Sequence, residues 1–130
     1  MALYPAFGGG GTYKETLLWT NSSSTATFAA QIVALSDNID NYDYIGVYWY
    51  YPSNYTGEPI CTFMKVSDFK KTGNANLSMA LSLGFKSTAG TIGTRNTYYV
   101  SDTSIGFTDC RTGTTTTNNG TIPQKIVGLK

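Results

Sequence analysis

The side chains best suited to hold a ligand are tyrosines in one strand-like segment and in the loop after it. Residues 44–51 are β-branched or aromatic at almost every position, which is typical of a β-strand. Alternate side chains of an extended chain share a face, so Tyr44, Tyr48 and Tyr50 are predicted to point outward. Tyr55 follows in the next loop. Aromatic side chains lose little conformational entropy on binding, so Tyr48, Tyr50 and Tyr55 are predicted to form a saccharide-binding surface.

The same tyrosines allow a second interpretation. Residues 45, 47, 49 and 51 would fill the core, and the opposite face would then be buried in a subunit interface. Aromatic residues are enriched in protein interfaces, which favours this alternative as well. From the sequence alone both uses of the tyrosine face stay open.

Two arginines are further candidates for ligand contact. Arg95 and Arg111 lie beside polar segments, residues 91–96 and 111–119, that we expect to be loops. A planar guanidinium there can hold hydroxyls or a phosphate. A structural ion pair is the alternative for each arginine. The predicted ligand-binding residues are therefore Tyr48, Tyr50, Tyr55, Arg95 and Arg111.

The residues needed for catalysis and metal binding are sparse. The chain has no histidine, which excludes Ser-His-Asp and Cys-His catalytic groups. Its eight acidic residues are scattered and show no paired carboxylates of a glycosidase. Asp37, Asp40 and Asp43 lack the spacing of a calcium loop, so we expect aspartates that form turns. We therefore expect no enzymatic activity, no cofactor and no metal site.

Cys61 and Cys110 are the only cysteines, and they are too far apart for a Cys-x-x-Cys site. Buried free thiols are the favoured interpretation, and a disulfide between them is the alternative.

Length and composition limit the classes of partner. A chain of 130 residues is expected to form one domain. With 13% charged residues and a net charge of +1, it lacks the basic surface that nucleic acids require. No apolar run approaches the roughly 20 residues that span a bilayer, so membrane insertion is not expected. The N-terminus also lacks the pattern of a signal peptide.

The pattern along the chain indicates an all-β fold. Residues 1–12 end in four consecutive glycines and are predicted to be a linker or an N-terminal extension, and residues 13–130 a single module. Residues 37–43 are predicted to be a loop that buries Ile39. About eight short strands alternate with turn signals, which predicts an antiparallel β-sandwich, jelly-roll-like in topology. The predicted strands are residues 13–19, 26–35, 44–51, 60–66, 77–85, 97–100, 105–110 and 122–129.

Several phrases, taken in order, resemble a known group of modules. They are Glu-Thr-Leu-Leu-Trp-Thr-Asn at residues 15–21, Thr-Phe-Ala-Ala-Gln at 27–31, Asn-Tyr-Asp-Tyr-Ile at 41–45 and Ile-Pro-Gln-Lys-Ile-Val-Gly-Leu-Lys at 122–130. Together they resemble C-terminal receptor-binding-type modules of tail-fibre and minor structural proteins from tailed phages and prophages of Gram-positive bacteria. The resemblance spans residues 15–130. The tyrosine and tryptophan cluster at residues 48–51 departs from the pattern of that group.

The resemblance implies a component of the virion tail, made in the cytoplasm of the host bacterium. It further implies a homotrimer that contacts other tail or baseplate proteins and binds a host cell-surface saccharide or wall polymer. We therefore expect an adhesin module that performs no chemistry. One alternative is a structural module that trimerises or caps the fibre without touching the receptor. A small glycan-degrading enzyme is a remote alternative.

Overall fold

The computed structural model describes residues 12–23, 27–50, 60–72, 79–84 and 92–130. Within them the chain forms ten β-strands, a one-turn α-helix and a 3₁₀ helix at Ile39–Asn41. Two of the strands are only two residues long, so eight longer strands build the fold. The strands are β1 (Glu15–Thr20), β2 (Gln31–Ala34), β3 (Tyr44–Tyr50), β4 (Ile60–Lys65), β5 (Met79–Gly84), β6 (Ile92–Ser101), β7 (Ser104–Phe107), β8 (Arg111–Thr112), β9 (Thr115–Thr116) and β10 (Ile122–Leu129); the helix α1 is Val66–Phe69.

The strands form two antiparallel sheets. The four-stranded sheet has the order β1-β10-β3-β4. In the six-stranded sheet, β2, β7, β6, β8 and β9 are joined in that order, and β5 pairs with β6. Thr94 of β6 pairs with both Ser82 of β5 and Arg111 of β8, so β5 and β8 lie on opposite sides of β6. Early strands pair with later ones in both sheets, β1 with β10 and β2 with β7.

The core lies between the inner faces of the two sheets. From the four-stranded sheet, Ile45, Val47 and Trp49 are at most 1% exposed, and from the other sheet Ile105 and Phe107 are fully buried. Each such side chain contributes roughly 1.5–3 kcal/mol by leaving water. The alternation of β3 that the sequence shows therefore places its inner residues where they were predicted.

The all-β sandwich is confirmed, and so is the burial of Ile39, which is 0% exposed. β10 has the predicted bounds, residues 122–129. The predicted strand 26–35 is strand only at Gln31–Ala34. Before β2 the chain bonds to loops instead: Phe28 N donates to Asn118 O and Ala30 N donates to Asp109 Oδ1.

Residues 92–96 were predicted to be part of a polar loop, and that prediction is wrong. They are the first half of β6, which pairs with β5 over Ile92–Thr97. The polar appearance arises because Arg95 and Thr97, although 0% exposed, point into the interior. The predicted linker at residues 1–12 lies, except for Thr12, outside the described residues.

A charged cluster joins three loops at one end of the sandwich. Lys70 Nζ lies 2.8 Å from Asp40 Oδ1 and 3.1 Å from Asp102 Oδ1. The hydroxyl of Tyr99 donates to the same Asp102 carboxylate, 2.8 Å away. These contacts connect the 3₁₀ helix, the end of α1 and the β6–β7 turn. The hydrogen bond from Tyr99 and the neighbouring Lys70 hold the pKa of Asp102 below its usual value.

We expect stability to be constant between about pH 5 and 9, and to fall outside that range. The pKa values of Asp37, Asp102 and Asp109 are below the ordinary 3.8, because hydrogen bonds favour their carboxylates. The contribution of these three carboxylates to the free energy of unfolding is therefore present above pH 4, and it is lost as acid protonates them. At the other end, burial raises the pKa of the Cys61 thiol from 9.0 to about 12. The unfolded thiol then loses its proton first, so stability falls above about pH 9.

The measurement is the midpoint of thermal unfolding from pH 2 to 11. With no histidine in the chain, nothing described here titrates in the middle of that range. A midpoint that shifts by several degrees between pH 5.5 and 7.5 would contradict this prediction.

Candidate functional site

The outward face of β3 is covered within the chain. Tyr48 is 7% exposed and its hydroxyl donates to Glu15 Oε2, 3.0 Å away. Lys125 Nζ lies 4.3 Å from the centre of the Tyr48 ring and 3.6 Å from Glu15 Oε1. Tyr44 is 8% exposed and packs edge-on against Tyr13, with ring centres 5.5 Å apart. Tyr44 and Tyr48 point to the outer face of β3 as predicted, but β1 and β10 bring other side chains over them, so they present no open surface.

The side chains of the other two predicted tyrosines, Tyr50 and Tyr55, are not among those that the structure describes. Tyr50 ends β3, where its backbone pairs with Ile122 of β10. Tyr55 lies outside the described residues, as does Tyr51.

Arg95 is a structural residue of the interior. It is 0% exposed, and its guanidinium lies 5.2 Å from the centre of the Phe28 ring. Its nitrogens donate to four backbone carbonyls from three segments of the chain, which satisfies the buried charge with hydrogen bonds. The acceptors are Thr121 O at 2.9 Å, Thr108 O at 2.6 Å, Phe28 O at 2.8 Å and Gly120 O at 3.4 Å. The predicted role in ligand contact is therefore wrong for Arg95.

Arg111 is exposed on a short hairpin. It lies in β8, where it pairs with Thr116 of β9, and Gly113 in the turn has a φ of +62° that favours glycine. Tyr48, Arg95 and Arg111 thus belong to the outer face of one sheet, the interior and a surface hairpin. The structure does not bring these predicted residues together.

A depression beside Trp19 is the candidate site, since its lining is polar and uncharged. The pairing of β1 with β10 shifts register between Leu17 and Trp19, so the strand has a β-bulge there. The bulge lets consecutive residues point inward: Leu18 is 2% exposed, and Trp19 packs against the core while staying half-buried. Bulges commonly redirect a side chain in this way beside functional sites.

The Trp19 depression opens at the edge of the sandwich, where the end of β1 faces the start of β2. It has a volume of about 290 Å³. Trp19 lies at its inner end, where its ring is 6.0 Å from that of Phe28 and 5.8 Å from that of Phe107. The lining consists of residues 19–23, Thr27, Phe28 and Gln31.

The rim of this depression is held by hydrogen bonds to distant parts of the chain. Asn21 N donates to Gln124 O at 2.8 Å, and Asn21 Nδ2 donates to Pro123 O at 2.9 Å. On the opposite side, Arg95 holds the carbonyl of Phe28. Such bonds fix the backbone before a ligand arrives, which lowers the entropic cost of binding. Arg95, predicted to contact ligand, therefore holds part of the backbone that lines the depression.

The side chains around the Trp19 depression retain free hydrogen-bonding capacity. Within the described residues, the indole N–H of Trp19 and the hydroxyls of Ser22, Ser23 and Thr27 have no hydrogen-bond partner. Gln31 donates from Nε2 to Ala29 O at 3.1 Å, which leaves its Oε1 able to accept. The depression thus combines a partly exposed aromatic ring with several donors and acceptors and can bind a polyhydroxylated ligand without chemistry.

A second depression, of about 400 Å³, lies beside the charged cluster. It is lined by Asp40, Tyr42, Asp43, Val66, Ser67 and Lys70. Its principal charges are already used, because Lys70 pairs with Asp40 and Asp102. The hydroxyl of Tyr42 likewise donates to Asp37, 2.8 Å away. We therefore regard it as a structural feature.

Cys61 and Cys110 are both free thiols in the structure, but only Cys110 is buried as predicted, and Cys61 is half-buried. Cys110 is fully buried and contacts the Thr121 hydroxyl at 3.6 Å. Among the described residues, no three acidic or cysteine side chains are grouped closely enough to hold a metal ion. Asp37 bonds the backbone N–H of Asn38, as expected for an aspartate in a turn.

Trp19 was missed as a site residue by the sequence analysis. The signal available was a tryptophan directly before a run of hydroxyl and amide residues at 20–25. Strict alternation from Leu18, which is buried, would turn Trp19 outward onto the sheet face, and only the bulge places it at the sandwich edge.

Comparisons with protein-family models and with curated proteins give no match. In the described part of the chain, neither helix has the length and apolar character to cross a membrane.

Proposed function

We propose that the chain is a host-attachment module of a phage tail fibre or tail tip, which binds a saccharide of the bacterial surface without chemistry. The sequence resemblance of residues 15–130 to modules of phage tail proteins supports the biological setting. The observation that carries the binding function is Trp19, which lies partly exposed in a depression rimmed by hydroxyl and amide groups. The setting implies a place in the virion, in contact with other tail or baseplate proteins.

The energetics of such a site suit attachment by many weak contacts. A small depression with one aromatic ring is expected to bind a single sugar unit weakly, at about millimolar strength, equivalent to about −4 kcal/mol. A homotrimer displays the depression three times, and several fibres multiply this number. Linked sites raise the overall affinity by about 10²–10⁴ without any new contact.

A second candidate function, trimerisation or capping of the fibre, is favoured by exposed apolar side chains. Leu17 is 53% exposed, Ile32 is 59% exposed and Val100 is 39% exposed. Single exposed apolar residues are common on monomers, but these lie on outer sheet faces that neighbouring subunits can cover. This function and attachment are compatible in one module.

We expect the fluorescently labelled module to bind cells of a susceptible Gram-positive host saturably, and unlabelled module to compete. Gln31→Ala removes an exposed rim amide and is expected to weaken cell binding at least threefold. Asn119→Ala is the matched control, because it also removes an exposed amide and Asn119 does not line the depression. The control is expected to bind like the original chain.

The oligomeric state is measured on the same samples by light scattering. Absence of binding by a folded, correctly assembled module to a panel of hosts would contradict attachment. Two results together would favour the structural function. The Leu17→Ser variant would lose the oligomer, and the Gln31→Ala variant would bind cells like the original chain.

A further inference from the structure

We infer that the Trp19 depression takes an uncharged pyranose unit rather than a phosphate- or carboxylate-bearing one. This inference rests on the proposed attachment function and narrows its ligand. It decides between the two kinds of host polymer that the function leaves open, neutral saccharide and anionic wall polymer.

The first reason is the charge of the lining. Residues 19–23, Thr27, Phe28 and Gln31 are all uncharged. A bound anion would leave water without gaining a cationic partner, and burying an unpaired charge is costly. The carbonyl oxygen of Gln31, which can only accept hydrogen bonds, would also face the anion.

The cations nearest to this region of the fold are already engaged. Arg95 contacts Phe28, but its guanidinium nitrogens are used in hydrogen bonds to backbone carbonyls. Lys125, whose backbone pairs with Thr20, extends its Nζ to Glu15 and the Tyr48 ring instead. Arg111, exposed on its hairpin, is not among the lining residues.

The second reason is the kind of hydrogen-bonding group available. Hydroxyls of Ser22, Ser23 and Thr27 can each donate and accept, as the hydroxyls of a sugar do. The Trp19 indole adds a donor, and Gln31 Oε1 adds an acceptor. A phosphate accepts hydrogen bonds only, so it would use the donors and leave the acceptors unsatisfied.

The third reason is size. A volume of about 290 Å³ is at the lower end of the range of about 300–1,000 Å³ for small-molecule sites. It fits one sugar ring packed beside Trp19. The rest of a polymer would extend into solvent, so we expect recognition of a terminal or side-branch unit.

The test uses the fluorescence of Trp19 in the full chain. The chain has two tryptophans, and Trp49 is 1% exposed, so acrylamide quenching reports mainly on Trp19. The uncharged probes are methyl glycosides of glucose, galactose, mannose and N-acetylglucosamine. The charged probes are glycerol 3-phosphate and glucuronic acid, each at up to 100 mM and constant ionic strength.

We expect at least one methyl glycoside to protect Trp19 from quenching, with half-saturation at about 1–10 mM. The charged probes should protect at least tenfold less well. Gln31→Ala should weaken the protection at least threefold and Asn119→Ala should leave it unchanged. The protecting glycoside should also inhibit binding of the module to host cells.

Stronger protection by glycerol 3-phosphate or glucuronic acid than by every glycoside would overturn the inference. Cell binding that persists, while no glycoside protects Trp19 or competes, would also overturn it and leave the attachment function standing. A module that binds a glycoside but no host cell would support the ligand class and contradict the attachment function.

Discussion

Replacement of Arg95 by leucine is expected to lower the free energy of unfolding by about 3–5 kcal/mol. The variant removes the donors of four backbone carbonyls in a fully buried environment, and each unsatisfied group costs about 1–3 kcal/mol before the structure relaxes. The whole free energy of unfolding of a small domain is about 5–15 kcal/mol, so this variant should be close to unfolding completely. Urea denaturation followed by circular dichroism measures the change.

Arg95→Lys is the informative control. Lysine keeps the charge but has a single nitrogen, which cannot reach carbonyls in the positions that the planar guanidinium spans. We expect it to recover only part of the lost stability. If Arg95→Leu costs less than 1 kcal/mol, the hydrogen bonds of Arg95 do not hold the loops at Phe28, Thr108 and Gly120 together. Arg95 holds the carbonyl of Phe28, and the Phe28 ring packs against Trp19. If Arg95→Lys folds, we therefore expect acrylamide to quench Trp19 more easily.

Truncation of Phe107 to alanine is expected to destabilise the fold by about 3–5 kcal/mol. Phe107 is 0% exposed and lies between the sheets, with its ring 5.4 Å from Phe28, 5.8 Å from Trp19 and 6.0 Å from Trp49. Its loss removes apolar surface and leaves a cavity that three other rings border. Thermal and urea unfolding of the variant give the magnitude.

Phe107→Leu keeps an apolar side chain of nearly equal volume and should cost under 2 kcal/mol, mainly through lost ring contacts. Equal destabilisation by Ala and Leu would mean that the ring arrangement, rather than the filled volume, determines the effect. An alanine variant as stable as the original chain would contradict the central position of Phe107 in the core.

The parts of the fold that the sequence predicts well are those governed by alternation within one strand. β3 is long and apolar, so its inner residues follow from periodicity. β10 follows a run of turn residues, and this change in composition gives its bounds. Ile39 was recognised as the buried residue of its loop because it is a single apolar side chain among polar ones. The sandwich class follows from the number of such strands and the absence of a helical period.

The parts that sequence reasoning missed depend on contacts between distant segments. Arg95 looks like a surface residue of a polar segment, yet its acceptors come from Phe28, Thr108, Gly120 and Thr121, whose approach only the tertiary fold defines. Tyr48 was correctly placed on the outer face of β3. That Glu15 and Lys125 cover the Tyr48 side chain depends on the positions of β1 and β10 in the sheet.

The candidate site was missed for a related reason. A one-residue bulge in β1 changes which face Trp19 joins, and the sequence shows no glycine or proline there that would announce it. The candidate site therefore lies at the edge between β1 and β2, and not at the tyrosines of β3 that the sequence analysis favoured.

The most direct test of attachment through the Trp19 depression is a ¹H–¹⁵N spectrum of the module, titrated with neutral saccharide released from the host wall. The two tryptophan indole N–H groups give separate signals, and that of Trp49 is bonded to Thr62 Oγ1 at 2.9 Å in the core. We predict that the saccharide shifts the Trp19 indole signal and the backbone signals of Asn21, Ser23 and Gln31, while the Trp49 indole signal stays in place. Shifts confined to the β8–β9 hairpin or to the outer face of β3, with the Trp19 signal unmoved, would contradict it.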